Sequence, residues 1–418
     1  MLNIAKTYGF FYASILFGVF IWLFSFLILP AKAVEVFKLE TALFILTCYT
    51  TLILGFTIVS FKTVDRYKEI NSKRLINFLT FLLVICFLLR WVDLFGFRKV
   101  SFFNDSFENR RLSKIHSDTN IIFILASILK SLYFFPFVIH LKLGFKKRIA
   151  SVAAIIILFF PLVEALLYGT RKPYFEIAII IFISLLLFRK IKLKIFNIFA
   201  FLTILFLLMT VSYKVMLKRE TERSSKEDIY KVITTSRYND LLKPNKEVIG
   251  YLNNPNVNVN KKNYTLILLQ TGQYINHGVF EFNHILNTNL PTTYGQYTLY
   301  PFFKFFAKTI TKNNYENFNP SPRKYVYLSA FGSFYIDFKW ASIIIFFLLG
   351  IIQKYFHKNY KGSLIHSPMV IYLAIINIFL PILNYLRGAG IYPLIGFSVI
   401  LIFCHFFIKR INEKSTDT

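Results

Sequence analysis

The sequence is poor in charged residues, and above all in acidic ones. Only 17% of its 418 residues are charged, and 21 acidic side chains stand against 49 basic ones. Hydrophobic residues make up 56% of the chain, and the mean hydropathy is +0.53. These values exclude an ordinary soluble domain of this length and predict a protein that crosses a membrane many times.

The excess of basic residues does not indicate a nucleic-acid-binding protein. The formal net charge is +28, but the lysines and arginines cluster in short segments between apolar stretches. That pattern orients membrane helices, whose cytoplasmic loops carry most of the positive charge. We therefore expect a lipid bilayer, and no nucleic acid, among the partners.

Cysteine is scarce, and several enzyme motifs are missing. The three cysteines all fall in apolar stretches, so no disulfide framework is predicted. The chain has no P-loop, no glycine-rich dinucleotide motif, no His-Glu-x-x-His and no Gly-x-Ser-x-Gly. It also lacks an Asp-x-Asp pair, which disfavours a nucleotide-activated sugar donor and leaves a lipid-linked donor compatible. We predict no metal and no other cofactor.

Ten apolar stretches are long enough, or nearly so, to cross a bilayer. They lie at residues 10–29, 41–61, 76–97, 120–140, 149–168, 173–188, 195–217, 330–352, 368–386 and 391–408. No small-residue cleavage pattern follows the first stretch, so we expect an uncleaved helix there and not a signal peptide. The predicted fold is an all-α polytopic membrane protein of about ten transmembrane helices.

The distribution of basic residues predicts the orientation. Most of the basic residues lie in short segments on the same side of the membrane as the N-terminus. Both termini are therefore expected in the cytoplasm. Residues 1–217 then contain helices 1 to 7, and residues 325–418 contain helices 8 to 10 and a short cytoplasmic tail. Residues 218–324 form one large periplasmic loop.

This loop has two dissimilar parts. Residues 218–262 are charged and rich in asparagine, which is typical of a solvated segment that covers the membrane domain. Residues 264–286 are amphipathic and too polar to span. They predict one or two short helices that lie close to the membrane, at its interface.

Three groups of residues could carry chemistry. Ionisable side chains within apolar stretches are costly and often line a cavity. Arg90 and Asp93 are three residues apart on one helical face, and we predict that they pair and support a cavity. Structural ion pairing is the alternative, and it is favoured for Lys130 and Lys214.

The second group consists of basic residues expected at the outer membrane boundary. Guanidinium forks match phosphate oxygens, so convergent arginines suit a diphosphate, with anchoring to headgroups as the alternative. The members of this group are Arg171, Lys172, Arg323, Lys324 and Arg387.

The third group lies on the amphipathic segment. His277, Glu281 and His284 are spaced by four and three residues and share one helical face, with Tyr274 nearby. One of the three could act as a general base. The polar face of an interfacial helix is an equally good interpretation, and a metal site is disfavoured.

The residues from about Gly169 to Ile345 resemble the Wzy-type oligosaccharide repeat-unit polymerases, or O-antigen polymerases. The resemblance rests on the Gly169-Thr170-Arg171 turn, on LLQTGQYINHGVFEFNHIL and on PSPRKYVYLSAFGSFYIDFKWASIII. The chain departs from the family at Lys339, where a glycine often follows Asp-Phe, and this puts the role of Asp337 in doubt.

The resemblance implies a glycosyltransferase of the bacterial inner membrane. A glycan on undecaprenyl diphosphate is the donor and a lipid-linked repeat unit the acceptor, with a chain-length regulator as a further partner. Arg171, Arg323 and Arg387 would then bind diphosphate. An O-antigen ligase and a polysaccharide flippase or exporter are the alternatives, although the chain has no internal repeat of the kind many transporters show.

Overall fold

A computed structural model describes residues 2–62, 72–116, 120–145, 148–170, 172–192, 194–223, 236–307, 321, 323 and 326–415. Two residues predicted to bind diphosphate, Arg171 and Lys324, lie outside these ranges, as does part of the predicted loop.

The protein is 76% helical. The α-helices are α1 (Leu2–Ile28), α2 (Leu39–Ile58), α3 (Ser72–Trp91), α4 (Ser106–Ile115), α5 (Ile121–Leu129), α6 (Phe135–Leu143), α7 (Arg148–Phe159), α8 (Pro161–Tyr168), α9 (Lys172–Leu187), α10 (Ile195–Arg223), α11 (Lys246–Asn253), α12 (Val259–Ile285), α13 (Tyr300–Phe306), α14 (Ala330–Phe338), α15 (Ser342–Asn359), α16 (Ser367–Phe379) and α17 (Tyr392–Ser415). Within the described ranges, the only strands are β1 (Ala31–Ala33) and β2 (Leu242–Pro244), which pair antiparallel.

Among the described residues, six helical stretches are long and apolar enough to cross a membrane: Tyr8–Ile28, Leu39–Ile58, Lys73–Phe97, Ile121–Leu143, Ile149–Tyr168 and Ala330–Asn359. Shorter apolar helical stretches lie at Ile195–Val211, Ser367–Phe379 and Gly388–Cys404. The predicted all-α, membrane-like character is therefore confirmed. The predicted stretch 173–188 corresponds to α9, whose 16 residues fall short of the roughly 20 that a span needs, and the number ten stays a prediction.

The chain divides into two compact units. The first consists of Met1–Phe61, Ser224–His357 and Leu373–Ile391, and the second of Lys62–Arg223, Lys358–Tyr372 and Tyr392–Thr418. Helix α10 continues to Arg223, so the segment expected to begin the loop at residue 218 starts as a continuation of this helix.

In the first unit, α12 is a single helix of 27 residues, and not the one or two short interfacial helices expected over 264–286. Every residue from Asn276 to Asn283 is buried. The two asparagines of this stretch hydrogen-bond to side chains on other helices. Asn276 Nδ2 donates to Ser25 Oγ at 2.9 Å, and Asn283 Oδ1 accepts from the Thr41 hydroxyl at 2.8 Å.

The asparagine-rich part of the predicted loop also packs into the first unit. Strand β2 pairs with β1, which lies in the connection between α1 and α2. The fully buried Gln273 donates from Nε2 to the Leu242 carbonyl at 2.8 Å and to Asn239 Oδ1 at 2.7 Å. The described residues from 236 onward therefore do more than cover the membrane domain, because they hold α12 in place.

Glycines allow the backbones of α2 and α15, in the first unit, to approach each other closely. A Cβ at Gly55 of α2 would collide with the carbonyl oxygen of Phe347 in α15, and one at Gly350 of α15 would collide with the carbonyl oxygen of Leu52. Small residues that allow backbones to approach are a common means of packing helices in membranes.

In the second unit, α3, α5 and α7 pack side by side, and α17 packs against α5. Helix α3 ends in a π-helical turn, Val92–Phe97. Gly169, with a φ of +57°, ends α8 in the left-handed conformation that favours glycine.

We expect Gly55→Ala to weaken the first unit, because its methyl group has no room beside the Phe347 carbonyl. The thermal unfolding midpoint in detergent and the amount of protein in the membrane should both fall. Gly9→Ala is the matched control, since Gly9 is also helical and, apart from its own helix backbone and chain neighbours, no described atom lies within 4 Å of the place its methyl group would take. Equal midpoints for the two variants would contradict the packing described for α2 and α15.

Candidate functional site

His277 is a neutral imidazole whose two nitrogens are both engaged. Its Nδ1 lies 3.2 Å from the Gln273 carbonyl and 3.0 Å from the Tyr274 carbonyl, so Nδ1 carries the proton. Its Nε2 accepts the Tyr327 backbone N–H at 3.2 Å. Burial lowers the pKa of His277 to about 4. This arrangement favours a structural role for His277, which joins α12 to the segment before α14, over the role of a general base.

Glu281, one turn further along α12, is buried without a hydrogen bond. Its side chain is 1% exposed, and neither carboxylate oxygen has a hydrogen-bond partner among the described residues. Burial raises the pKa of Glu281 to about 7, although the charges of Arg323 and His284 oppose the rise. A buried carboxyl group that titrates near neutral pH is suited to proton transfer.

Arg323 is the cation that faces Glu281. Its Nη1 lies 3.4 Å from Glu281 Oε2, and its Nη2 lies 3.4 Å from Asp240 Oδ2 and donates to the Arg237 carbonyl. Its Nε and Nη1 are buried and have no hydrogen-bond acceptor in the part of the chain that the structure describes. Arg323 therefore keeps unused donors beside an unused carboxylate.

His284, in the last turn of α12, pairs with a carboxylate. Its Nδ1 lies 2.5 Å from Glu35 Oε1, and the two side chains are 27% and 30% exposed. No described residue is hydrogen-bonded to His284 Nε2, so this nitrogen is available to a ligand. Glu35 lies in the connection between α1 and α2, far from His284 in sequence, and nothing in the sequence pattern marks it as a partner.

The guanidinium group of Arg387 lies over an aromatic ring. Its guanidinium carbon lies 4.0 Å from the centre of the Tyr297 ring and 5.8 Å from that of Tyr300, and its Nε donates to the Tyr297 carbonyl at 3.2 Å. Burial raises the pKa of Tyr297, and the charges of Arg387, Asp337 and Glu281 also act on it. Tyr297 is thus within electrostatic reach of both Arg387 and Glu281.

Asp337 has the opposite character to Glu281, because both of its oxygens accept hydrogen bonds. Oδ1 accepts from the Thr293 hydroxyl and from the Tyr297 N–H at 3.0 Å, and Oδ2 accepts from the Thr298 N–H at 2.9 Å. The Thr298 carbonyl in turn accepts the Gly388 N–H at 3.0 Å. Asp337 therefore fixes the loop on which Arg387 rests.

Other predicted site residues belong to the second unit. Arg90 contacts Asp93, and its Nε lies 3.6 Å from Glu164 Oε2. Arg98 Nε lies 2.9 Å from Asp93 Oδ2, and Lys130 contacts Glu164. Arg90 and Asp93 do pair, as their spacing predicts, within a network of charges that compensate one another.

Lys172 and Tyr274 complete the predicted set. Lys172 begins α9 in the second unit, is half exposed and lies 3.9 Å from Glu176. Tyr274 belongs to the first unit, with its ring 5.9 Å from both the His277 and the Tyr327 rings. Among the described residues, the first unit therefore contains six of the predicted ones: Tyr274, His277, Glu281, His284, Arg323 and Arg387.

No three His, Cys, Asp or Glu side chains are placed to hold a metal ion among the described residues. Comparison with known proteins adds no relative: no protein-family model matches the chain, and neither a curated protein nor a solved structure does.

The buried carboxylate predicts an unusual pH dependence of stability. Because the pKa of Glu281 rises from 4.5 to about 7 on folding, the folded state holds this proton more tightly than the unfolded state does. The stability that depends on the proton is present below pH 4.5 and is lost as the pH rises through 7. When Glu281 is fully ionised, the free energy of unfolding is lower by roughly 3 kcal/mol, at about 1.4 kcal/mol for each pKa unit.

We therefore expect Glu281→Gln to unfold at a higher temperature than the wild type at pH 8, with the difference shrinking as the pH falls toward 5. Thermal unfolding in detergent at several pH values measures this. Glu247→Gln is the control, because Glu247 is an exposed carboxylate of the same unit. A pH-independent difference, or a less stable Glu281→Gln at pH 8, would contradict the ionisation assigned to Glu281.

Proposed function

We propose that the protein is a polymerase that joins oligosaccharide repeat units carried on undecaprenyl diphosphate, in the synthesis of O-antigen or a related surface polysaccharide. The main support is the group of side chains around α12. Glu281 is buried and unpartnered among the described residues, Arg323 faces it, and the partly exposed His284 pairs with Glu35. Proton-transferring groups beside fixed cations suit glycosyl transfer with a diphosphate leaving group.

Lys339 gives a second support. Its φ of +50° and ψ of −136° are a backbone combination that glycine adopts far more easily than lysine. The polymerases that the chain resembles often have glycine at this position after Asp-Phe. Lys339 thus departs from their pattern in its side chain, but its backbone conformation is one that glycine favours.

The proposal includes the topology expected from the sequence. About ten helices cross the bacterial inner membrane, both termini are cytoplasmic, and the segment 218–324 lies on the periplasmic side. The site around α12 then faces the compartment in which lipid-linked repeat units are joined. The six long apolar helices support the membrane location.

In the proposed reaction, a hydroxyl of the acceptor repeat unit attacks the anomeric carbon of the donor glycan. The bond from that carbon to the diphosphate oxygen breaks, and undecaprenyl diphosphate leaves with the electron pair. His284 Nε2 takes the proton of the hydroxyl, and Glu35 holds the ring in place and stabilises its charged form. Arg323 and Arg387 stabilise the negative charge that develops on the diphosphate, with Arg171, Lys172 and Lys324 as further candidates.

His277 enters this scheme as a positioning residue. Its two nitrogens are occupied by backbone groups, so it has no nitrogen left for an acceptor hydroxyl. Arg90 and Asp93 support the second unit through their shared ion network.

The decisive experiment is deletion of the gene followed by electrophoresis of the surface polysaccharide. The expected result is lipid A–core that carries a single repeat unit and no ladder. Polymer that stays on the lipid carrier would identify a ligase instead. Repeat units stranded on the inner leaflet would identify a flippase, and an unchanged ladder would refute the polymerase.

Variants test the residues. We expect Arg323→Ala, Arg171→Ala and His284→Ala to shorten or abolish the ladder by at least about tenfold in polymer yield, while the proteins still accumulate in the membrane. Arg111→Ala is the matched control, since Arg111 is exposed and pairs with Glu108 at the surface, an interaction worth little to stability. A normal ladder from any of the first three variants would remove that residue from the site.

A further inference from the structure

The Glu281–Arg323 pair is electrically neutral but short of hydrogen bonds. Glu281 offers two oxygens and Arg323 offers Nε and Nη1, yet these four buried atoms have no hydrogen-bond partner among the described residues. Their closest approach, 3.4 Å between Nη1 and Oε2, is an ion pair without a formed hydrogen bond. Buried polar atoms left unpaired are costly, and here a donor group and an acceptor group lie side by side, so that one ligand could satisfy both.

The two side chains differ in how far they reach toward solvent. Glu281 is enclosed, with its side chain 1% exposed, whereas that of Arg323 is 13% exposed and its Nη2 extends to Asp240, which is 63% exposed. An anion can therefore meet the guanidinium from the side of Asp240. The Glu281 carboxylate behind it is almost completely enclosed.

An anion on Arg323 would upset the balance of charge around Glu281. The guanidinium is the nearest cation, and a diphosphate brings more negative charge than it can neutralise. In a buried site, two like charges at short range repel strongly. A proton on Glu281 removes that repulsion and turns the carboxyl group into a hydrogen-bond donor for a phosphate oxygen.

The other groups that face Glu281 do not neutralise the repulsion between its carboxylate and a bound anion. Arg323 and His284 favour its charged form, while Asp240 and Glu35 oppose it. Tyr297 is buried, and His277, one turn away on α12, has both of its nitrogens engaged by backbone groups. Each carboxylate nearby adds to the negative charge, and the imidazole of His284 is already paired with Glu35.

We propose that Glu281 and Arg323 form a proton-coupled diphosphate site, in which Glu281 takes up one proton from solvent when a diphosphate binds to Arg323. The choice of diphosphate as the anion rests on the proposed function, whereas the coupling follows from the buried pair itself. No covalent bond changes in this step. The proton passes from solvent to a Glu281 oxygen and returns when the anion leaves.

The coupling gives binding a defined pH dependence. Since the pKa of Glu281 in the free protein is about 7, the carboxyl group is already largely protonated at pH 6 and largely ionised at pH 8. Proton uptake should therefore be small at pH 6 and approach one proton per diphosphate at pH 8. The affinity should fall by up to about tenfold per pH unit above 7, because the bound state needs a proton that the free state has lost.

Isothermal titration calorimetry of the full-length protein in detergent tests the proposal. Farnesyl diphosphate and inorganic diphosphate are the two probes, each titrated at pH 6 and pH 8 in buffers with different enthalpies of ionisation. The comparison of buffers gives the number of protons taken up. Both probes change their own protonation in this range, so the measured quantity is the difference between wild type and Glu281→Gln. Glu247→Gln, an exposed carboxylate of the same unit, is the control and should match the wild type.

We expect wild type to take up close to one proton more than Glu281→Gln at pH 8, and Arg323→Gln to lose binding of both probes. Stronger binding of the farnesyl probe would indicate a lipid-linked diphosphate, and equal binding a diphosphate recognised without its lipid. Equal proton uptake by wild type and Glu281→Gln would overturn the coupling and leave the polymerase proposal standing. Absence of binding to wild type would overturn the site itself, while the glycan ladder of the deletion strain decides the proposed function separately.

Discussion

The first unit depends on hydrogen bonds between side-chain amides of α12 and the helices around it. A helix with polar side chains can be buried among apolar helices only if those side chains find partners. Asn276 and Asn283 find them on Ser25 and Thr41, and Gln273 finds them on the segment before α11. These contacts make α12 an interior element. As a consequence, Glu281 lies away from water.

Two buried carboxylates in this unit differ in the number of hydrogen bonds that they accept. Asp337 accepts three hydrogen bonds from one loop and so holds that loop. Glu281 accepts none from the described residues and faces a guanidinium that it does not hydrogen-bond. An acid whose oxygens already accept hydrogen bonds gains less from a ligand than one whose oxygens are both open. This difference supports a structural role for Asp337, and it is the reason why we propose a chemical role for Glu281.

The sequence was sufficient for the class of fold and for placing three candidate residues on one helix. Long apolar stretches predicted membrane-like helices, and His277, Glu281 and His284, whose spacing predicts a shared helical face, all lie on α12. It could not predict that α12 is buried, because a polar helical face fits water and buried amide partners equally well. Nor could the sequence show that both nitrogens of His277 are engaged in hydrogen bonds, whereas Nε2 of His284 is not bonded to a described residue. Glu35 was beyond its reach, since only the folded chain brings Glu35 to α12.

The pairing of β1 with β2 and the contact of Thr41 with Asn283 have a consequence for how the protein is made. Some 242 residues separate Thr41 from Asn283, so α1 and α2 leave the ribosome long before their partners exist. Contacts so distant in sequence form slowly, and the early helices stay open to wrong partners in the meantime. The second unit also needs a late element, because α17, which packs against α5, begins only at Tyr392. The unit that carries the candidate site is therefore completed only after α12 and the residues up to Ile391 have been synthesised.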